Sequence, residues 1–172
     1  MMCARLSARD PAFRWPRCFL PVLFFRNGIG YIFTSGTTGY FPNPSETACF
    51  GDIHGDWTVL GDPHIGDERH TSFDSQISCV FKHPHIDDLY IAMADRWLPD
   101  LPDDRPVVTD VYKTMFDDEC DEELKNKYKD FSLESLSAKN TSLADYVWLP
   151  VRFKDGVPQI EWYDEWRVED FK

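Results

Sequence analysis

At 172 residues the chain fits one domain with an ordinary core. Aromatic residues make up 15% of it, which favours sheets and supplies flat faces on which sugar rings can lie. The formal charge of −12 argues against nucleic acid or an anionic membrane as partner, because phosphate binding needs clustered Lys and Arg, whereas a neutral polysaccharide is not repelled.

Residues 1–18 are basic, interrupted by Pro and without period, and read as a disordered or foreign lead-in to one domain over 19–172. Cys18–Phe25, preceded by Arg14 and Arg17, mimics the apolar part of a signal peptide, but Phe25-Arg26-Asn27-Gly28 is a poor cleavage site. A strand is the better reading, and the compartment stays open. No run of about 18 apolar residues exists to predict a membrane-spanning helix.

From Val22 the pattern becomes regular. Val22–Phe25, the turn Arg26-Asn27-Gly28 and Tyr31–Thr34 predict a hairpin, with Asn-Gly as its turn signal. Gly36-Thr37-Thr38-Gly39 is a loop, and Pro42-Asn43-Pro44 follows it. Thr47–Phe50 and Trp57–Leu60 predict two further strands. Ile77–Lys82 and Leu89–Ala94 flank a turn at His83–Asp88. Tyr146–Phe153, the turn Lys154-Asp155-Gly156 and Gln159–Tyr163 form a last hairpin. Short strands joined by turn signals predict an all-β fold, sandwich or propeller. The spacing of Trp148, Trp162 and Trp166 predicts that all three pack in its core.

Residues 99–144 break the pattern. Within them, 103–134 hold eleven Asp or Glu against five Lys or Arg, and Asp117–Lys129 predicts a short charged helix. Because Tyr90–Trp97 and Tyr146–Phe153 read as neighbouring strands, 99–144 is expected to be an acidic insertion on the rim.

The cysteines (Cys3, Cys18, Cys49, Cys79, Cys120) show neither zinc spacing nor a disulfide framework and read as buried small apolar residues. His83-Pro84-His85 lies in a turn, His54, His64 and His70 lie in loops, and no third ligand at a defined spacing completes a metal motif.

Four stretches carry the candidate chemistry: Thr34–Tyr40, Thr71–Gln76, Tyr90–Trp97 and Asp145–Pro150. Together they resemble the last blades of a five-bladed β-propeller of glycoside hydrolase family 43, in its exo-β-1,3-galactanase-like branch. The resemblance covers about 19–98 and 145–168. It implies a partial propeller, about two blades plus closing strands, and a terminal β-galactosyl substrate drawn from plant polysaccharide, with arabinosyl or xylosyl residues as the alternatives. Glycoside hydrolysis needs an acid to protonate the leaving oxygen and a second group acting at the anomeric carbon or on its water.

In the resemblance a Gly-Ser-Gln motif supplies an amide that holds the attacking water. Here Asp74-Ser75-Gln76 matches it, so Gln76 carries over with Asp in place of Gly. An amide can orient a water, yet it is a poor proton acceptor, and Gln76 can equally serve to satisfy backbone groups at a strand start. The general acid is a Glu in a Glu-Ala-Pro motif, and the alignment puts Phe19 there, which cannot transfer a proton. Thr37 and Tyr40 match positions of a sugar-lining loop, with Asn43 close behind. Asp95 and Trp97 would form a pocket wall, with Asp95 paired to Arg96 or bonding a hydroxyl; a structural ion pair beside a core Trp is the other reading.

The family often carries a central ion, but no residue here can be assigned to one, so no cofactor is predicted. A partial ring leaves blade faces unpartnered, which predicts self-association. The chain is therefore expected to be a shortened, inactive glycosidase-like piece. The alternatives are a non-catalytic carbohydrate-binding β-domain or an interaction module that uses the acidic insertion.

Overall fold

The computed structural model describes residues 19–36, 38–101, 120–129 and 140–171, with isolated positions between 107 and 114. It is mostly β, built as two open sheets, the first antiparallel and the second antiparallel except for the parallel pair β5–β9. The first is an up-and-down meander of β1 (Phe19–Arg26), β2 (Ile29–Ser35), β3 (Ser45–Phe50) and β4 (Trp57–Gly61). The second runs in the order β5-β9-β8-β7-β6, from β5 (His64–Ile65), β6 (Gln76–Lys82), β7 (Tyr90–Arg96), β8 (Asp145–Lys154) and β9 (Val157–Glu161). The helix α1 (Glu122–Lys127) lies between β7 and β8 and is capped by the Asp121 carboxylate.

Both predicted hairpins form. Asn27 and Gly28 have φ of 51° and 81°, and Asp155 and Gly156 have 52° and 81°. Two successive left-handed residues make the tight turn whose twist matches the flanking strands, which is why Asn-Gly and Asp-Gly stand there. The expected strand forms over Phe19–Arg26, with β1 pairing with β2 from Phe19↔Ser35 to Arg26↔Ile29. Of the predicted 117–129 helix, Glu122–Lys127 is helical while 120–121 and 128–129 are not, and 117–119 lie outside the described residues.

Period-2 alternation gives each sheet one apolar face, and these two faces meet. Val22, Phe24, Tyr31 and Phe33 of the first sheet pack against Ile77, Val80, Tyr90, Ala92, Leu149, Val151 and Ile160 of the second. Phe24 is the hub, with Tyr31, Phe33, Tyr90 and Phe153 all within 6.3 Å, centroid to centroid. Each fully buried side chain of this kind stabilises by roughly 1.5–3 kcal/mol. Polar stitches close the hairpin end of the interface: Tyr90 donates to the Phe25 carbonyl (3.0 Å), Tyr31 to that of Gly156 (2.9 Å), and Arg26 reaches both carboxylate oxygens of Asp88 at 2.6 Å. The Arg26 hydrogen bonds hold the Asp88 carboxyl below its ordinary range.

Three expectations need correction. Trp148 and Trp162 are 48% and 40% exposed, not core. Val147, Leu149 and Val151 take the inward positions of β8, so alternation turns Trp148 outward, while Trp162 lies just past the end of β9. Trp166 does pack, against the small apolar cluster of Ile86, Leu89 and Ile91 on the outer face. His64 is not in an open loop: it lies in β5, paired in parallel with Ile160 and buried. Cys49, Cys79 and Cys120 are half-buried rather than buried and are in no disulfide, and Cys3 and Cys18 lie outside the described residues.

Candidate functional site

The sequence motifs gather at the end of the two sheets opposite the hairpin turns. Here β2 stops at Ser35, β6 starts at Gln76 and β7 finishes at Arg96. Phe19, in the position the resemblance gives to the general acid, pairs with Ser35 at this same end.

The loop after β2 is organised by Asn43, which is 1% exposed. Its Oδ1 accepts from the Gly36 amide at 2.5 Å, and its Nδ2 donates to Thr38 Oγ1 at 2.7 Å and to the Phe41 carbonyl at 3.3 Å. A Cβ on residue 36 would come within 3.2 Å of that Oδ1, so a side chain there would press on Asn43 by a few tenths of an ångström. Asn43 is thus a buried strut, not an exposed contact on the loop surface. What the loop displays is Tyr40, 55% exposed, tilted against Trp97 with ring centroids 5.1 Å apart. Thr37 lies outside the described residues.

Gln76 is 4% exposed and reaches across from β6 to this loop. Its Nε2 donates to the carbonyls of Gly39 and Phe41, both at 2.9 Å. Two carbonyl partners can only face the amide nitrogen, so the orientation of the side chain is fixed and its Oε1 points the other way. The backbone-satisfying reading of Gln76 therefore describes its nitrogen. Asp95 sits in register beside Gln76 on one side and Tyr146 on the other. Asp95 and Arg96 do not form the expected ion pair. Arg96 turns away, donating to the Phe73 carbonyl at 3.2 Å and lying over the Trp162 ring at 5.1 Å.

Sequence reasoning missed the segment that delivers Gln76. Ser72, Phe73 and Asp74 are three successive non-glycine residues with φ of 55°, 55° and 59°. The left-handed conformation costs roughly 1–2 kcal/mol per such residue, so the surroundings must impose it. They do: Asp67 Oδ2 accepts the Thr71 and Phe73 amides at 2.7 and 3.2 Å, Ser72 Oγ donates to the Asn43 carbonyl at 2.8 Å, and Phe73 packs against His64 and Trp162. The conformation also explains the motif: Asp74 occupies a left-handed position that suits the Gly of Gly-Ser-Gln. The visible signal was Asp67 four residues ahead of Thr71, an acceptor placed to cap the turn.

Around β5, burial pushes the Asp62 carboxyl up, but bonds from the His64 side chain and amide and from His70 outweigh it and leave it lowered. Among the described residues no group of three or more His, Cys, Asp or Glu converges as a metal site, and no helix is long and apolar enough to cross a membrane.

The fold itself has solved counterparts. A family 43 β-1,3-galactosidase superposes with a TM-score of 0.64 at 24% identity, covering 91% of this chain and 25% of its own. A second β-1,3-galactosidase of that family, solved with galactodeoxynojirimycin, gives 0.60 at 26% identity over 88% of this chain and 32% of its own. The chain has the fold of part of a family 43 glycoside hydrolase. An exo-β-1,3-galactanase from Clostridium thermocellum agrees, with a TM-score of 0.51 at 22% identity over 84% of this chain and 23% of its own. The chain therefore spans about a quarter to a third of the length of these structures. No family sequence model matches it, and no curated protein matches it by sequence.

Proposed function

We propose that this family 43 glycoside hydrolase-like domain recognises a terminal β-galactosyl residue of a β-1,3-galactan. In this reading the two sheets are neighbouring blades of a five-bladed propeller. Their face-to-face packing supports it, as does the contact between their first strands, β1 and β6. Tyr40 and Trp97 form the aromatic wall on which the sugar ring lies, and Asp95 bonds a sugar hydroxyl. The Oε1 of Gln76 accepts from a water below the anomeric carbon.

The observation that carries the reading is the fixed Gln76 amide. Both of its donor hydrogens go to the loop that bears Tyr40, so one side chain couples the water-holding atom to the stacking ring. Phe19 offers no proton at the acid position, so this chain binds without turning over. Self-association through the outward face of β1, where Leu23 and Phe25 are 45% and 61% exposed, belongs to the same proposal.

Calorimetric titration with galactodeoxynojirimycin tests the reading. Wild type should bind, Trp97→Ala should weaken binding at least tenfold, and p-nitrophenyl β-galactoside should not be cleaved. Equal binding by wild type and Trp97→Ala would remove the proposed wall.

A further inference from the structure

The left-handed turn before Gln76 is the most strained stretch among the described residues, and its restraints converge on one carboxylate. We propose that Asp67 is the positioning residue of this site: it holds Ser72–Asp74 in their left-handed conformation and so places Gln76 against the Gly39–Phe41 loop. For its ligand, though not for its geometry, this rests on the galactoside reading above.

Asp67 Oδ2 takes the amides of Thr71 and Phe73, and Oδ1 takes the Thr71 hydroxyl at 3.4 Å. That hydroxyl in turn accepts the Asp74 amide at 3.2 Å. A single carboxylate thereby fixes donors at 71, 73 and, through Thr71, 74, two of them in the left-handed run itself. The chain leaves the turn at Ser75, whose hydroxyl donates back to the Ser72 carbonyl at 2.6 Å, and enters β6 at Gln76. Across the gap, Ser72 is also tied to Ser45 at the start of β3, so the turn is registered against the sheet that carries the Tyr40 loop. Strain held this tightly next to a candidate site is a pre-organising device when releasing it moves the side chain it presents.

The test uses the whole chain and two NMR signals remote from Asp67 in sequence. These are the Phe41 amide, which bonds the Thr38 carbonyl, and the Gln76 side-chain amide. Asp67→Ala should lower the protection of both about tenfold relative to the amides of β8, since it removes charge-assisted bonds to two amides. Asp67→Asn keeps an acceptor at Oδ2 and should retain most of the protection; it also serves if the alanine variant does not fold. Adding Asp74→Gly to Asp67→Ala removes one strained left-handed residue and should restore the protection of both signals relative to the β8 amides, whereas a general gain in stability would raise the β8 amides as well. Galactodeoxynojirimycin affinity should follow the same order in these variants.

Loss of protection confined to 67–75, with Phe41 and the Gln76 side chain unchanged, would overturn the proposal. So would failure of Asp74→Gly to rescue. If wild type binds no galactodeoxynojirimycin, the galactoside reading falls, while the exchange data still decide the role of Asp67.

Discussion

Replacing Gln76 by Glu should be more damaging than truncating it to Ala, although Glu has the same shape. The wild-type Nε2 sits 2.9 Å from two carbonyl oxygens, and the side chain is 4% exposed. Truncation to Ala forfeits two neutral hydrogen bonds, worth together about 1–3 kcal/mol. Water can rehydrate the exposed Gly39 side of the loop, so the cost should sit near 2 kcal/mol. Glutamate instead turns a second carboxylate oxygen toward the same two carbonyls, in a site that excludes most water. That adds a buried, unpaired acceptor and charge, costing roughly 1–3 kcal/mol beyond Ala. Part of this is avoided if the carboxyl stays protonated, because its hydroxyl can then donate to one carbonyl.

The sign with pH follows. The introduced carboxyl has its folded-state pKa raised above the unfolded value, so the variant should be least stable at neutral pH. It should recover as pH falls through that raised pKa. Urea denaturation at pH 7 and pH 4.5 measures both effects, with unchanged slopes confirming that stability alone has moved. A Gln76→Glu variant as stable as wild type at pH 7 would refute the reasoning. It would mean that the amide nitrogen is not engaged with the loop.

Asp74→Gly should stabilise by up to about 1 kcal/mol in urea unfolding, since the native φ of 59° suits glycine; a loss would mean that contacts of the Asp74 side chain outweigh the strain. Asp88→Asn keeps a residue that tolerates its left-handed φ of 61° but removes the charge facing Arg26. Because Asp88 is half exposed, the cost should be only about 0.5–1 kcal/mol. The folded-state pKa of Asp88 is depressed, so this contribution is present above the ordinary carboxylate range and lost as pH falls below it; thermal melts of wild type and Asp88→Asn should therefore converge under strongly acidic conditions. Phe25→Ser should reduce any concentration-dependent association seen by sedimentation, and an unchanged sedimentation profile in an associating wild type would move the interface elsewhere.

Most strands were legible because each carries a period-2 apolar pattern and a turn signal at its end. Asn27-Gly28 and Asp155-Gly156 named their own turns, and Val22, Phe24, Tyr31 and Phe33 named the core face. Trp148 was misplaced because the spacing of the three tryptophans was read ahead of strand alternation, in which Val147 and Leu149 fill the inward positions. The loop geometry was not legible. Nothing within Thr71–Gln76 announces three left-handed residues, because the causes lie outside it: a carboxylate at Asp67 a few residues ahead, and the tertiary packing of the Phe73 ring against Trp162. Likewise Asn43 reads as a surface residue beside two prolines, and only the folded loop shows its amide to be consumed inside. Candidate positions were thus found by motif, while which atom of each is available had to come from geometry.

The most direct test of the galactoside site is an NMR titration of the chain with β-1,3-galactobiose, following the Trp97 indole and the Gln76 side-chain amide. The account predicts saturable shifts of both signals with about millimolar affinity or better, abolished by Tyr40→Ala and absent with a glucose-configured disaccharide. Shifts that miss Trp97 and Gln76, or that survive Tyr40→Ala unchanged, would contradict it.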